Sequence, residues 1–431
     1  MSSTVAIADR PLEGGPTVRQ MLALWVPLAA SIVMMVLEPS IINIGLGRTA
    51  EPELALAAFG VAYSLALLVE APIIMLLDAS VARSTDRHAF ALVRRFTLAL
   101  GLLVTAIGLL VSLTPLYTLL VERLMNIPPD VAARTRPTLQ ILSFWPLPIA
   151  WRRAHQGVLI RARRTAVITV ATAARLLTLT GALIGGLLLS PTRGAQVAGI
   201  AMDFSVVVEA AVVTRATRQV LCADRSQDTA LTLGDLWRFY RPLLATSILR
   251  QTTQPLLNAG IAAAAVARAS LAAWPVGWGF VTLIAGPAWS LQQLTTALAT
   301  DQAAYRRLER FALTLSTIFA LLLCLAAFTP LYDLVLGGVY NLSSDLRELA
   351  RPAMQLMVVY PLFLGAQSLL RGVLIRRGCT RSVRSATMVN IFTLALTLLA
   401  GVTLFAPTGM TLAALATLTG AAAELAWLRW H

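Results

Sequence analysis

A cluster of polar side chains interrupts one of the long apolar runs of the chain. In the segment 145–156, Arg152 and Gln156 lie one helical turn apart on one face, and His155 lies beside that face. The run continues for about 13 Å beyond Arg152 before the next basic cluster. Snorkelling to the membrane surface would account for Arg153 more readily than for Arg152. We therefore expect Arg152, His155 and Gln156 to line a cavity and bind substrate.

A second apolar run carries an equally dense polar stripe. Gln251, Gln254 and Asn258 follow one another at helical spacing, and Arg250 precedes Gln254 by four residues. Hydrogen bonding between helices is an alternative role for such groups. Their number and the neighbouring Pro255, which frees backbone carbonyls, favour a cavity lining. We predict Arg250, Gln254 and Asn258 as substrate-binding residues.

Other apolar runs contain further polar side chains. A charge at the bilayer centre costs roughly 2.5–3.5 kcal/mol on insertion scales, so each should face a cavity or a partner. The residues are Glu38, Asn43, Glu70, Arg175, Gln367 and Arg371. We predict Asn43, Gln367 and Arg371 as substrate-binding, and Glu38, Glu70 and Arg175 as coupling residues or charge partners. Arginines outnumber acids in the combined set, and guanidinium groups in a low-dielectric cleft favour anions such as phosphate or carboxylate.

The apolar runs have the length and composition of membrane-spanning helices. Of 431 residues, 57% are hydrophobic and 13% charged, whereas soluble domains average about 45–50% and 25%. A span needs roughly 20 apolar residues and must satisfy its own backbone hydrogen bonds, which favours helices. We predict an all-α membrane protein of about twelve spans, at 20–46, 54–78, 96–120, 138–160, 166–190, 194–214, 239–262, 270–298, 311–336, 353–375, 384–405 and 409–428.

The basic residues are distributed asymmetrically. All 35 are arginine and the formal net charge is +14. They cluster in alternate loops, at Arg83, Arg87, Arg94 and Arg95; Arg161, Arg163 and Arg164; Arg306, Arg307 and Arg310; and Arg376, Arg377, Arg381 and Arg384. This positive-inside bias predicts a multi-pass protein of the plasma or inner membrane with both termini cytoplasmic. It also accounts for the net charge without nucleic acid as a partner.

The two halves of the chain align at a constant offset of 215 residues. The sequence Gly-Val-Leu-Ile-Arg starts at both Gly157 and Gly372, and Thr-Pro-Leu-Tyr starts at both Thr114 and Thr329. An even number of spans in each copy makes the copies parallel, with the working cavity between them. The pattern thus predicts two pseudo-symmetric six-helix bundles.

The repeat also sets the predicted domain boundaries. We place an N-terminal lobe at 1–214 and a C-terminal lobe at 239–431. A cytoplasmic linker at 215–238 joins them, and a solvated tether explains it better than a regulatory site. Glu209 and Glu424 are counterparts near the ends of their spans, and we expect them to pair with arginines of the adjoining loops.

Motifs for catalysis and cofactor binding are missing from the sequence. There is no Walker-type glycine loop, no cluster with metal-ligand spacing and no Gly-x-Ser-x-Gly elbow. We therefore expect no enzyme, no catalytic residues, no cofactor and no metal site. Any pumping would use an ion gradient, with H⁺ or Na⁺ as candidate ions, or substrate exchange.

Several segments resemble the ANK (progressive ankylosis) family. The block Ala58-Phe59-Gly60-Val61-Ala62-Tyr63-Ser64-Leu65, followed by Pro72, is similar to the span-two signature of that family. Scattered similarities cover nearly the whole chain, including Pro27, Leu28, Asn43 and Gly45; Pro146, His155, Gly157 and Arg161; and Pro242, Leu243, Ala245, Thr246, Pro255 and Asn258. The family's acidic residue in span one falls at Pro39 here, with Glu38 beside it, and the family's long acidic C-terminal tail is missing.

This resemblance implies a bacterial-type homologue within the multidrug/oligosaccharidyl-lipid/polysaccharide exporter superfamily. It further implies a V-shaped, MATE-like fold and export of organic anions such as citrate, or of pyrophosphate or nucleotides. We expect a monomer with membrane lipids and a small anionic substrate as partners. The alternatives are a multidrug or cation antiporter using Glu38, and a lipid-linked precursor flippase with a lateral opening. A lipid-modifying enzyme would need clustered catalytic carboxylates or histidines, which the sequence lacks.

Overall fold

The computed structural model describes residues 16–162, 164–223, 231–377, 379–405 and 407–430. Helices of the first half are α1 (Val18–Leu46), α2 (Pro52–Ile74), α3 (Leu76–Arg83), α4 (Arg87–Leu113), α5 (Pro129–Leu142), α6 (Pro146–Arg161), α7 (Thr165–Leu189) and α8 (Gly194–Ala223). Helices of the second half are α9 (Leu233–Gln251), α10 (Thr253–Ala263), α11 (Ala267–Ala285), α12 (Leu291–Leu298), α13 (Gln302–Phe328), α14 (Leu331–Asp333), α15 (Ser344–Leu356), α16 (Tyr360–Arg376), α17 (Thr380–Ala400) and α18 (Gly409–Trp430).

Ten segments of the described chain are long and apolar enough to cross a membrane. The two predicted spans that fall short contain α6 and the pair α9–α10, which carry the densest polar side chains. Both remain helical. The predicted all-α membrane fold of two six-helix lobes is confirmed.

The helices α4 and α13 begin earlier than their predicted spans. α4 starts at Arg87 and α13 at Gln302, each about two turns before the predicted apolar segment. The reason is local, because the side chains of Asp86 and Asp301 accept hydrogen bonds from backbone N–H groups of the first turn. Such caps let a helix extend beyond the apolar core of the membrane.

The repeat in the sequence is also a repeat in three dimensions. The boundaries of α12 and α13 are those of α3 and α4 shifted by 215 residues. Asn126 and its counterpart Asn341 both adopt a left-handed conformation, with φ of 52° and 56°. The Tyr117 hydroxyl donates to a carbonyl of α5 at 2.6 Å, and Tyr332 makes the corresponding bond to α15 at 2.5 Å.

The first helix of each half packs partly on the other half. Trp25 of α1 makes an edge-to-face contact with Phe311 of α13 at 6.2 Å, and its counterpart Tyr240 of α9 does the same with Phe96 of α4 at 5.3 Å. The predicted linker 215–238 is partly helical, since α8 ends at Ala223 and α9 begins at Leu233; residues 224–230 lie outside the described chain.

The two halves meet along α2 and α11. At Gly60 a Cβ atom would lie 2.6 Å from the ring of Pro275, its counterpart in the repeat, so only glycine allows the helices to approach this closely. One continuous hydrophobic core runs through both halves. The pseudo-two-fold axis therefore passes through a tightly packed interface.

Candidate functional site

Glu209 is the centre of a polar network inside the first half. Its carboxylate is fully buried and accepts hydrogen bonds from Arg152 at 2.5 Å, Thr172 at 3.2 Å, Gln156 at 3.3 Å and Arg175 at 3.5 Å. The donors come from α6 and α7, and the acceptor from α8. Three consecutive helices are thus joined by one carboxylate.

Two more carboxylates complete this first polar network. Glu38 of α1 pairs with Arg175, and Glu70 of α2 lies 3.9 Å from Arg153 of α6. Both acids are buried. With Glu209 paired to Arg152, three guanidinium groups face three carboxylates, so the network is formally neutral.

A second polar network occupies the corresponding place in the other half. Glu424 of α18 is buried and accepts from Arg371 Nε at 2.9 Å and from Asn390 at 2.9 Å. Gln367 donates to the backbone carbonyl of Ala421 at 2.7 Å. Arg371 is the repeat counterpart of Gln156, so the same buried glutamate position holds a different set of partners in each half.

These contacts correct two expectations. Glu209 and Glu424 pair with arginines inside the helical bundles, not with loop arginines, because each faces the interior of its own half. The predicted excess of positive charge also does not extend over all the polar residues of the apolar segments. Arg152 and Arg175 of the first half, and Arg371 of the second, are each compensated by a carboxylate.

Arg250 is different from the other arginines in the apolar segments. It lies in the last turn of α9, about 25 Å along that helix. It is exposed and makes no ion pair with any residue of the described chain. Arg371, Glu424 and Tyr360 are its electrostatic neighbours. The second polar network together with Arg250 therefore carries one net positive charge.

The helix is interrupted beside Arg250. α9 ends at Gln251 and α10 begins at Thr253. Pro255 has no N–H and therefore cannot donate the helical hydrogen bond to the carbonyl of Gln251, one turn before it. The hydroxyls of Thr252 and Thr253 donate to the carbonyls of the preceding turn at 2.7 and 3.2 Å. Discontinuous helices occur at binding sites of membrane transporters.

The predicted binding residues Asn43 and Asn258 lie at the interface of the two halves. Asn43 of α1 donates to the carbonyl of Pro275 at 3.0 Å. Its counterpart Asn258 of α10 donates to the Ser64 hydroxyl at 2.8 Å and to the carbonyl of Gly60 at 3.5 Å. Both side chains are buried. The pair forms symmetric cross-links between α1 and α11 and between α10 and α2.

His155 is not brought together with the first polar network. Its ring is buried against Phe90 at 5.2 Å and Trp151 at 4.7 Å, and Nδ1 donates to the Trp151 carbonyl at 2.7 Å. Gln254 lies half-buried in the first turn of α10. Thr172, which donates to Glu209, was not among the predicted residues. Its position three residues before Arg175 on an apolar helix is the signal in the sequence that could have identified it.

A set of contacts closes one end of the molecule. This end, which we call the opposite end, contains the α1–α2 turn and lies away from the arginine-rich turns. Asn341 donates to the carbonyl of Gly47 at 2.7 Å. Arg268 of α11 pairs with Glu53 at 3.2 Å and Asp130 at 2.8 Å. Both contacts join the first half to the second.

Metal binding receives no support within the described residues. They contain no group of three or more histidine, cysteine, aspartate or glutamate side chains that could hold a metal ion. The buried carboxylates named above are instead occupied by guanidinium, amide and hydroxyl donors.

Comparison with known proteins identifies the fold. No protein-family model matches the sequence, and no curated protein sequence matches it significantly. Among solved structures, the chain is similar to an inward-facing multidrug-resistance MATE-family transporter of the MOP superfamily, with TM-score 0.71, 14% identity and coverage of 94% of this chain and 97% of that one.

Two further structures have the same architecture. The lipid II flippase MurJ in an inward closed conformation aligns with TM-score 0.70 and 11% identity over 95% of this chain and 87% of that one. An outward-facing MATE-family multidrug transporter aligns with TM-score 0.58 and 16% identity over 95% and 94% of the two chains. The MATE-like fold is thereby established, and membership of the ANK family stays a prediction.

Proposed function

We propose that this protein is a secondary active transporter that exports small organic or phosphorylated anions, such as citrate, pyrophosphate or a nucleotide, by alternating access between its two lobes. The similarity of its fold to MATE and MurJ transporters supports the transport mechanism. The charge of the second polar network supports the class of substrate.

Arg250 is the observation that carries the anion proposal. A buried or semi-buried guanidinium is normally compensated, as Arg152, Arg175 and Arg371 are here. Arg250 keeps its donors free while remaining exposed and close to Arg371. A guanidinium offers a planar fork that matches carboxylate and phosphate oxygens. We place the anion between Arg250 and the exposed edge of Arg371.

A further polar group lies near the same position. Tyr360 adds a hydroxyl within electrostatic range. An anion there would meet one net positive charge, whereas the neutral first polar network offers it none.

Alternating access fits the symmetry of the contacts between lobes. The opposite end is closed by contacts of Gly47, Asn341 and Arg268, and the chain aligns better with the inward-facing than with the outward-facing MATE structure. Two similar halves that meet at a pseudo-two-fold interface can move against each other so that one end of the molecule opens as the other closes. In this proposal the Glu38–Arg175 pair couples an ion to that exchange.

Uptake of radiolabelled citrate, pyrophosphate and nucleotide into proteoliposomes with inverted protein tests the proposal. We expect saturable flux, and Arg250→Gln should raise KM roughly ten- to hundredfold, because a hydrogen bond to a charged group is worth about 1.5–3 kcal/mol. Arg241→Gln is the matched control, since Arg241 is an exposed arginine on the same helix. No saturable flux of any of the three anions, or an equal loss in both variants, would overturn the proposal.

A multidrug or cation antiporter is the first alternative, supported by the likeness to MATE multidrug transporters. It would use Glu38, whose carboxylate is now paired with Arg175. Drug tolerance of cells expressing the protein, abolished by Glu38→Gln and unchanged by Arg250→Gln, would favour this alternative. The flippase alternative, supported by the likeness to MurJ, predicts movement of a lipid-linked precursor in the same vesicles.

A further inference from the structure

A groove of about 900 Å³ lies in the second half between α13, α16 and the end of α18. Leu369 and Val373 of α16 form part of its wall, and Leu313 and Leu362 stand at its mouth. Leu313 is 62% exposed and Leu362 is 37% exposed. Both belong to membrane-spanning segments. The groove therefore opens sideways toward lipid.

The corresponding place in the first half is filled. Trp151 and His155 occupy it, whereas their counterparts in the groove are Ala366 and Leu370. The Trp151 indole donates to the Thr214 hydroxyl at 2.9 Å, and its ring contacts that of His155 in a tilted arrangement with 4.7 Å between centroids. The groove is thus a property of the second half, created by small and aliphatic side chains, and not a general consequence of the fold.

Two arginines stand at the end of the groove near the arginine-rich turns. Arg377 and Arg429 both line it and both interact electrostatically with Tyr305. Neither makes an ion pair with a residue in the described ranges. Their counterparts in the first half are Ala162 and Thr214, which carry no charge. The charge and the open groove occur together in one half only.

The other charged groups of the groove are already engaged. Arg376 donates to two backbone carbonyls of α12 at 2.9 and 3.0 Å. Asp301 caps α13 by accepting a backbone hydrogen bond at 2.7 Å. Glu309 interacts with the Tyr305 hydroxyl. Among the charged side chains that line the groove in the described chain, Arg377 and Arg429 therefore remain free to bind a ligand.

We propose that this groove binds one anionic glycerophospholipid from the leaflet at the arginine-rich end. The phosphate lies between Arg377 and Arg429, and an acyl chain lies along the aliphatic wall formed by Leu313, Leu362, Leu369 and Val373. Basic pockets between transmembrane helices suit anionic headgroups, and tyrosine and tryptophan, here Tyr305 and Trp430, are enriched at that membrane depth. The apolar wall and the sideways opening favour a lipid over a soluble phosphate. This site does not depend on the proposed transport activity.

Native mass spectrometry of the detergent-purified full chain tests the proposal, with phosphatidylglycerol and phosphatidylcholine as probes. We expect one saturable phosphatidylglycerol adduct that inorganic phosphate at millimolar concentration does not displace. The double variant Arg377→Gln/Arg429→Gln should weaken it roughly tenfold or more. Ala366→Trp should abolish it while leaving the fold intact, because tryptophan occupies the same position in the first half. Arg306→Gln/Arg310→Gln removes two exposed arginines of α13 outside the groove and should change nothing.

Three results would contradict the proposal. Equal binding of phosphatidylcholine and phosphatidylglycerol would overturn the headgroup assignment. An adduct that survives both Ala366→Trp and the Arg377/Arg429 double variant would overturn the location. If Ala366→Trp fails to fold, the double variant still decides, since both of its arginines lie on the exposed rim. Displacement by inorganic phosphate would identify a soluble anion site instead of a lipid site.

Discussion

Replacing Glu209 by glutamine should destabilise the protein strongly. The carboxylate is fully buried and holds Arg152 at 2.5 Å and Arg175 at 3.5 Å. Glutamine keeps the size and one acceptor but removes the charge, which leaves three guanidinium groups of the first polar network against two carboxylates. Breaking a buried ion pair by removing one partner costs about 3–5 kcal/mol. We expect a loss of this size in the free energy of unfolding.

Reversible unfolding by SDS titration in mixed micelles, followed by tryptophan fluorescence, measures that loss. Glu51→Gln is the matched control, because Glu51 pairs with Arg134 at 3.1 Å while both side chains are about half exposed, and exposed pairs contribute about 0–1 kcal/mol. Adding Arg152→Gln to Glu209→Gln should recover part of the stability. Equal stability of Glu209→Gln and Glu51→Gln would refute the reasoning, as would a double variant less stable than Glu209→Gln.

Three further predictions concern the helix ends. Gly47→Ala places a Cβ 2.0 Å from the carbonyl oxygen of Tyr340, so the opposite end should open. A cysteine introduced there should then react faster with a thiol label, and an unchanged rate would contradict this. Val266→Asn should raise the free energy of unfolding by about 1 kcal/mol, because Val266 has φ of 54° and asparagine tolerates that conformation better. A lower free energy of unfolding in the SDS titration would argue against this. The backbone N–H of Ala304 lowers the pKa of Asp301, so the first turn of α13 should lose protection as pH falls below 3.8, the ordinary aspartate value. Hydrogen exchange should show no such loss in Asp301→Asn.

Proton binding to Asp301 is coupled to the stability of the start of α13. A carboxyl group whose pKa is lower in the folded state than in the unfolded state stabilises the fold at pH values above its unfolded-state pKa. This stabilisation is lost as the pH falls through the folded-state pKa. Asp301 is exposed, so the loss is confined to local opening of the helix start. Global stability near neutral pH should not change through this group.

Much of the fold could be predicted from the sequence because its signals are linear. Long apolar runs predict spanning helices whichever neighbours they have, since lipid leaves no other partner for the backbone. The offset of 215 residues predicts two similar halves, and the matched starts of α4 and α13 confirm it at the level of single residues. The capping residues Asp86 and Asp301 are also visible in the sequence. Because the predicted spans did not take them into account, the starts of α4 and α13 were predicted too late.

The charge pairing was decided by the tertiary structure. Arg152 and Glu209 are separated by 57 positions and Arg175 and Glu38 by 137, and which faces meet depends on how α1, α6, α7 and α8 rotate against one another. The sequence gives the number of arginines and acids in the apolar segments but not their partners. Carboxylates pair with Arg152, Arg175 and Arg371. Arg250, in contrast, is exposed beside a broken helix, and no carboxylate among the described residues of the second half lies close enough to pair with it.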